Sequence, residues 1–277
     1  MTRDSTGSGQ LPLVRDRTGF LNVAISVNQK PYTAVIDTGA AFSALSESTA
    51  EKLGLTPIPG KVRIGSATRN GIEARIAVAD RLDLGTVVLR HVVFIVLPDN
   101  TFSLLGGIYK LEAVIGLPVM QSLERFAVVR RGGKEWLQYG DGAPSAEGGT
   151  RIVLAGAKSY VLTEPNGRKP PLRLVIDTGA DRSWLVWQAL AEHPELASGT
   201  LKVHDAGVLS GAGGAAQDSD ALMIPSLNLD FGYASVPVKD IKIYSRSEKV
   251  RQGVLGQDVL RSGFVVDYVN MKFRLDP

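Results

Sequence analysis

Two aspartates stand where this sequence could do chemistry. Asp37 and Asp177 hold the same place in a hexapeptide that occurs twice letter for letter, Val35-Ile36-Asp37-Thr38-Gly39-Ala40 and Val175-Ile176-Asp177-Thr178-Gly179-Ala180, 140 positions apart (177 − 37). An apolar run ending in Asp-Thr-Gly-Ala presents a carboxylate on a tight loop, where glycine allows a close approach that a side chain would obstruct. One such loop alone reads equally well as a turn, or as a cap for the helix that follows. Two change the expectation, because equivalent units packed about a pseudo-two-fold axis can bring both loops to one site. Adjacent carboxylates cannot both ionise cheaply, so one keeps a proton while the other stays charged. That state is an acid and a base together. The ionised member can take a proton from a water held between the two, and the protonated member can polarise and protonate a carbonyl oxygen, which is amide hydrolysis without a covalent intermediate.

The remaining composition leaves few competitors. With no cysteine the chain has no disulfide scaffold, thiol nucleophile or thiolate metal site, and its three histidines, His91, His193 and His204, have no ligand-like spacing. No metal and no cofactor are therefore expected. No serine lies in a Gly-x-Ser-x-Gly elbow, and neither a Walker-type loop nor a Gly-x-Gly-x-x-Gly turn is present. Lys and Arg number 31 against 28 Asp and Glu, a net charge of +3 that is too small and too scattered for a nucleic-acid-binding face. The densest basic cluster, Arg130, Arg131 and Lys134, reads as a solvated turn. The longest strongly apolar stretch, Val92 to Leu97, is core-strand length rather than the ~20 residues of a membrane span. Met1 to Gln10 lack the features of a signal peptide, so the chain reads as soluble; its compartment stays open, with export expected only if a signal has been removed. Residues 1 to 20 read as a leader, a propeptide remnant or a first strand.

The loops need elements to hold them, and the repeat supplies the plan. Ser43 and Leu45 match Ser183 and Leu185, and Val114-Ile115-Gly116 is answered by Val254-Leu255-Gly256, so that Asp to Gly spans 79 residues in each copy (116 − 37 and 256 − 177). At 277 residues, 44% of them hydrophobic, the chain is long enough for two small domains that each bury a core. Turn-forming and small residues from Gly140 to Gly149 mark the boundary, giving an N-terminal lobe over 1–140, a linker over 141–149 and a C-terminal lobe over 150–277. Alternation predicts strands over Leu21 to Val27 and Thr33 to Ile36, with Asn28 to Pro31 turning between them. Ser46 to Gly54 reads as a short helix with Ser46 as N-cap and Gly54 as stop. Further strands are expected around Arg63, Ile72 to Val78, Val87 to Leu97, Phe126 to Val129, Leu172 to Ile176 and Phe264 to Tyr268, and a second helix near Val186 to Ala191. The fold class is mainly β, each half a closed or partly closed barrel.

At these residues the sequence resembles the aspartic peptidases. The carriers are apolar-apolar-Asp-Thr-Gly-Ala, a glycine-containing hairpin in mid-domain, and apolar-apolar-Gly near the end of each half, across nearly all of residues 20 to 275. Each half is similar to a bacterial retropepsin-like unit, and the tandem resembles the two-lobed pepsin plan with a cleft between pseudo-two-fold-related lobes. The resemblance implies that Asp37 and Asp177 are the catalytic pair, for which that family's dyad is the standard example. It implies that Thr38 and Thr178 bond across to the opposite loop and that the N–H groups of Gly39 and Gly179 support the carboxylates. Gly116 and Gly256 would lie in strands threading behind the loops. Flap candidates are Gly65, Ser66 and Ala67 in the first half and Gly211, Ala212 and Gly213 in the second. The implied partner is a peptide or protein substrate, and the implied assembly a monomer.

Three departures bear on this resemblance. Ala40 and Ala180 stand where pepsins carry a hydroxyl, so an activity optimum milder than a digestive pepsin's is expected. No tyrosine occupies either flap tip, and the short chain implies trimmed subsite loops. Asp181 and Arg182, facing Ala41 and Phe42 in the first copy, read as a solvated pair, and Trp184 and Trp187 as packing. A non-catalytic peptide-binding module of the same fold, and a homodimer that pairs like halves of two molecules, are the competing readings.

Overall fold

A computed structural model describes the chain except for residues 5–6, 66–70, 105–108, 204–207, 212–213, 218–220, 246–250 and 276–277. The first half closes a six-stranded ring from β1 (Leu21–Val27), β2 (Lys30–Ile36), β3 (Ser43–Ser46), β4 (Ile72–Leu84), β5 (Val87–Leu97) and β6 (Ala113–Ile115). Hydrogen bonding runs β1–β2–β6–β3–β5–β4 and back to β1, with β2–β6 and β3–β5 parallel and the other pairs antiparallel. The second half repeats the ring with β7 (Lys158–Pro165), β8 (Leu172–Ile176), β9 (Trp184–Val186), β10 (Ala221–Asp230), β11 (Ser235–Tyr244) and β12 (Gly253–Leu255). Its order is β7–β8–β12–β9–β11–β10 and back to β7, parallel at β8–β12 and β9–β11. The fold is mainly β, two small barrels of one topology.

Local sequence explains the elements. Along β1, Leu21, Val23, Ile25 and Val27 point into the core while the residues between them are less buried, the period-two alternation of a half-buried strand. The turn between β1 and β2 is shorter than expected. Asn28 and Gln29 alone make it, at φ +49° and +67°, and Lys30 already pairs with Val27. Pro31 is tolerated in β2 because it lies opposite Ser26, one step beyond the pair that closes the turn, and β2 gains its other neighbour only at Val35. The first helix, α1 (Glu47–Lys52), is capped by Ser46, whose hydroxyl accepts the Thr49 N–H at 3.2 Å, and Gly54 ends it at φ +75°.

An eight-stranded sheet joins the barrels. From β1 it runs through Gly9–Arg15, Lys134–Tyr139, Arg125–Arg131, Phe264–Asp267, Lys272–Leu275 and Thr150–Ala155 to β7. Gly9–Arg15, within residues 1–20, is thus a strand of this sheet. At its centre Phe126 lies opposite Val266, residues 140 apart, so the motif's own offset pairs equivalent positions across the chain. Arg125 and Asp267 face each other beside them at 3.0 Å. Phe126 and Phe264 meet edge to face at 6.0 Å beneath the sheet, in a core that continues from one barrel to the other. Residues 140–149 form a turn and loop with Ala143 and Ala146 buried under this sheet.

Arg130, Arg131 and Lys134 are exposed around a hairpin turn made by Gly132 and Gly133. Trp184 packs edge to face on Tyr244 at 5.7 Å, whereas Trp187 is 48% exposed, so only the first is packing. Among the described residues no helix is long and apolar enough to cross a membrane.

Candidate functional site

The two Asp-Thr-Gly loops meet between the barrels. Each follows a strand held from behind: Asp37 N–H donates to the Ile115 carbonyl at 3.0 Å and Asp177 N–H to that of Leu255 at 3.1 Å, continuing the parallel pairings β2–β6 and β8–β12. The threonines then lock the loops to each other. Thr38 N–H donates to Thr178 Oγ1 and Thr178 N–H to Thr38 Oγ1, both at 3.1 Å. Thr38 Oγ1 donates onward to the Ile176 carbonyl at 2.7 Å, and Thr178 Oγ1 to the Ile36 carbonyl at 2.8 Å. Both threonines are buried, so each hydroxyl satisfies one N–H and one carbonyl of the opposite copy that water cannot reach. At ~0.5–1.5 kcal/mol each the four bonds are modest as gains, but every group they satisfy would be costly to orphan.

The glycines are required by space. Neither has positive φ; instead a methyl on Gly39 would sit inside the Asp177 carboxyl, and one on Gly179 would lie 2.7 Å from Asp37 Cγ. Each loop thus lies against the carboxyl of the other. Gly116 and Gly256 lie just beyond β6 and β12 rather than within strands, as the N-caps of α2 (Leu117–Ser122) and α3 (Gln257–Leu260). A side chain there would strike the backbone of Phe42 or Arg182 at 2.5 Å. Their N–H groups donate to Ser43 Oγ at 3.1 Å and Ser183 Oγ at 3.0 Å, which gives the repeated serines a role behind the loops.

Asp37 and Asp177 are within hydrogen-bonding reach of each other, and their surroundings differ. Asp37 Oδ1 accepts two backbone donors, Gly39 N–H and Ala40 N–H, both at 2.9 Å; Asp177 Oδ1 accepts one, Gly179 N–H at 2.8 Å. Burial raises Asp37 above the usual carboxylate range, opposed by the Lys158 ammonium, the Ala40 and Gly39 amides and the hydrogen bond from Asp177. Burial and then the charge of Asp37 push Asp177 up to about 7, against Lys158 and the Gly179 amide. The extra backbone donor on Asp37 favours the charge there and the proton on Asp177.

Two participants escaped the sequence reading. Lys158, at the start of β7, donates from Nζ to the Gly39 carbonyl, and nothing local distinguishes it from any lysine beside a hairpin turn. Gln257 donates to the Thr178 carbonyl at 2.8 Å and accepts from Arg15 at 3.2 Å, while Arg15 is held by Glu135 at 2.6 Å. Leu117 stands at the position equivalent to Gln257, so this network backs one loop only. Of the flap candidates, Gly65 is exposed just after the strand Val62–Ile64, and Gly211 ends the short strand Val208–Gly211. Ser66, Ala67, Ala212 and Gly213 lie outside the described residues. Asp181 and Arg182 are exposed. Among the described residues no acidic and histidine side chains gather into a metal-ligating group.

Residues 23–112 match the family model described as aspartyl protease. The chain resembles a retropepsin-like aspartic peptidase. The matched segment includes Asp37 and most of the first barrel; the second copy lies outside it. A retropepsin-like aspartic protease from Rickettsia conorii is 21% identical, with 50% of this chain and 96% of that chain covered and a TM-score of 0.34. No curated protein matches the chain.

Proposed function

We propose that this chain is an aspartic-type endopeptidase in which Asp37 and Asp177 are the catalytic pair. The observation that carries the reading is the uneven carboxyl pair itself, two acids in one site with one backbone donor more on Asp37. Asp37, ionised, takes a proton from a water held between the carboxyls as its oxygen bonds to the scissile carbonyl carbon. Asp177 gives its proton to the carbonyl oxygen, producing a neutral gem-diol. Collapse then returns a hydroxyl proton to Asp177, while the C–N bond breaks and Asp37 protonates the leaving nitrogen. Thr38, Thr178, Gly39 and Gly179 hold the carboxyls in place. The substrate is a peptide or protein segment bound in extended form between the lobes by strand-like pairing.

Residues 1–140 and 150–277 act as the two lobes with 141–149 as linker, and one chain supplies both acids, so the enzyme works as a monomer. Gly65, Ser66, Ala67, Gly211, Ala212 and Gly213 are the proposed substrate-covering tips. The test is cleavage of a mixed peptide library by wild type, Asp37→Asn and Asp177→Asn, with and without a statine-type transition-state analogue. Cleavage blocked by the analogue and lost in both variants supports the reading. A wild type that cleaves nothing across a broad pH range, or an effect of only one substitution, overturns it.

A further inference from the structure

Beside the Gln257–Arg15 network, the two-fold relation between the loops is broken by the Lys158 ammonium. β7 starts immediately after a two-residue turn, Gly156 and Ala157, both at φ +56°, with Lys158 paired to Ala155 across it. This turn aims the Lys158 side chain out of the second half and onto the first half's loop, where its ammonium meets the Gly39 carbonyl. Gly39, like Gly179, touches both acids: its N–H bonds Asp37 and its α-carbon lies against the Asp177 carboxyl. An ammonium pinned there acts on both members of the pair.

Strand register shows what the other half carries instead. Asn22 lies opposite Val35 and Tyr160 opposite Val175, each valine two residues before its aspartate. Counting back two places from Asn22 and from Tyr160 puts Phe20 at the position equivalent to Lys158. Of the cations on the strands flanking β7, Arg173 faces Glu192 at 3.8 Å and Arg151 lies opposite Lys272 in the strand register. The Lys158 charge acts on both Asp37 and Asp177.

We propose that Lys158 is a positioning residue of the carboxylate pair: held on the Gly39 carbonyl, it keeps one acid ionised beside its protonated neighbour and the site neutral overall. One bound proton leaves the pair with a single negative charge, which the ammonium balances, so a neutral amide enters a site without net charge. A half-buried anion without that partner takes up a proton more readily, and the range in which the pair holds one proton moves to higher pH. The catalytic consequence rests on the peptidase reading; the effect on ionisation does not.

The deciding experiment is a carbon-13 NMR titration of the aspartate carboxyls in the full chain, for wild type, Lys158→Met, Lys158→Gln and Lys158→Arg, with Asp37→Asn and Asp177→Asn assigning the signals. In the Met and Gln variants the first ionisation of the pair should move up by about 1 pH unit or more, while Lys158→Arg stays near wild type. Both limbs of any cleavage pH profile should move the same way. Wild-type titration in Lys158→Met or Lys158→Gln, or an arginine variant that behaves like methionine, overturns the proposal. Absence of cleavage in the wild type would sink the peptidase reading and leave the titration to decide this one.

Discussion

Asp177→Asn should make the protein more stable at neutral pH and leave it nearly unchanged in acid. In the folded chain Asp177 ionises only near 7, against 3.8 for an unperturbed side chain. Because the folded value is raised, the folded state binds more protons than the unfolded one between these values, so stability present below about pH 4 is lost as pH rises toward 7. At 1.36 kcal/mol for each pH unit the ceiling is about 4 kcal/mol. Asparagine keeps the shape and never ionises, and the titration of Asp37, common to both proteins, largely cancels in the comparison. For a chain of this size a few kcal/mol corresponds to roughly 8 °C or more in Tm. The assay is thermal unfolding of wild type and variant at half-unit steps from pH 3.5 to 8.5. The difference in Tm should start near zero, climb through pH 4–7 and level off. A flat difference, or a variant that loses stability as pH rises, would refute the argument that burial and Asp37 hold the proton on Asp177.

Thr38→Val removes the acceptor of Thr178 N–H and the donor to the Ile176 carbonyl, leaving two buried groups unpaired; denaturant unfolding should show a loss of about 2–6 kcal/mol, with Thr38→Ser close to wild type. Gly39→Ala drives a methyl into the Asp177 carboxyl and should abolish cleavage, while Gly142→Ala, whose methyl would meet its nearest neighbour at an ordinary 3.6 Å, should leave cleavage unchanged in the same assay. Ala40 and Ala180 offer no hydroxyl to the pair and Asp177 titrates near 7, so the cleavage profile should peak at mildly acidic pH; a maximum well below pH 4 would contradict this.

The repeated hexapeptide made the paired acids, their threonines and the glycines legible, because those roles depend on residue type at a fixed distance within one loop. The barrels were legible for a related reason: alternation along Leu21–Val27 and the breaks at Asn28 and Gly54 are local signals. The joining sheet was not. Phe126–Val129 reads as a strand, but its pairing with Phe264–Asp267 is a contact between distant segments that no local pattern announces. Lys158 was hidden by a slip of register. The motif offset of 140 sets it against Thr18, whereas strand pairing sets it against Phe20, since the hairpin between Tyr160 and Val175 is two residues longer than that between Asn22 and Val35. Gln257 was hidden because the sequence offers an apolar residue, Leu117, in its place.

The central claim is that Asp37 and Asp177 act as one unit, and it is tested most directly by kcat/KM for wild type, Asp37→Asn, Asp177→Asn and the double variant on one peptide. If the carboxyls share one proton and one water, either single substitution should reduce cleavage to the level of the double variant, with no further loss on combination. Losses that multiply, or a single variant that stays within about tenfold of wild type, would show two acids working separately and contradict the account.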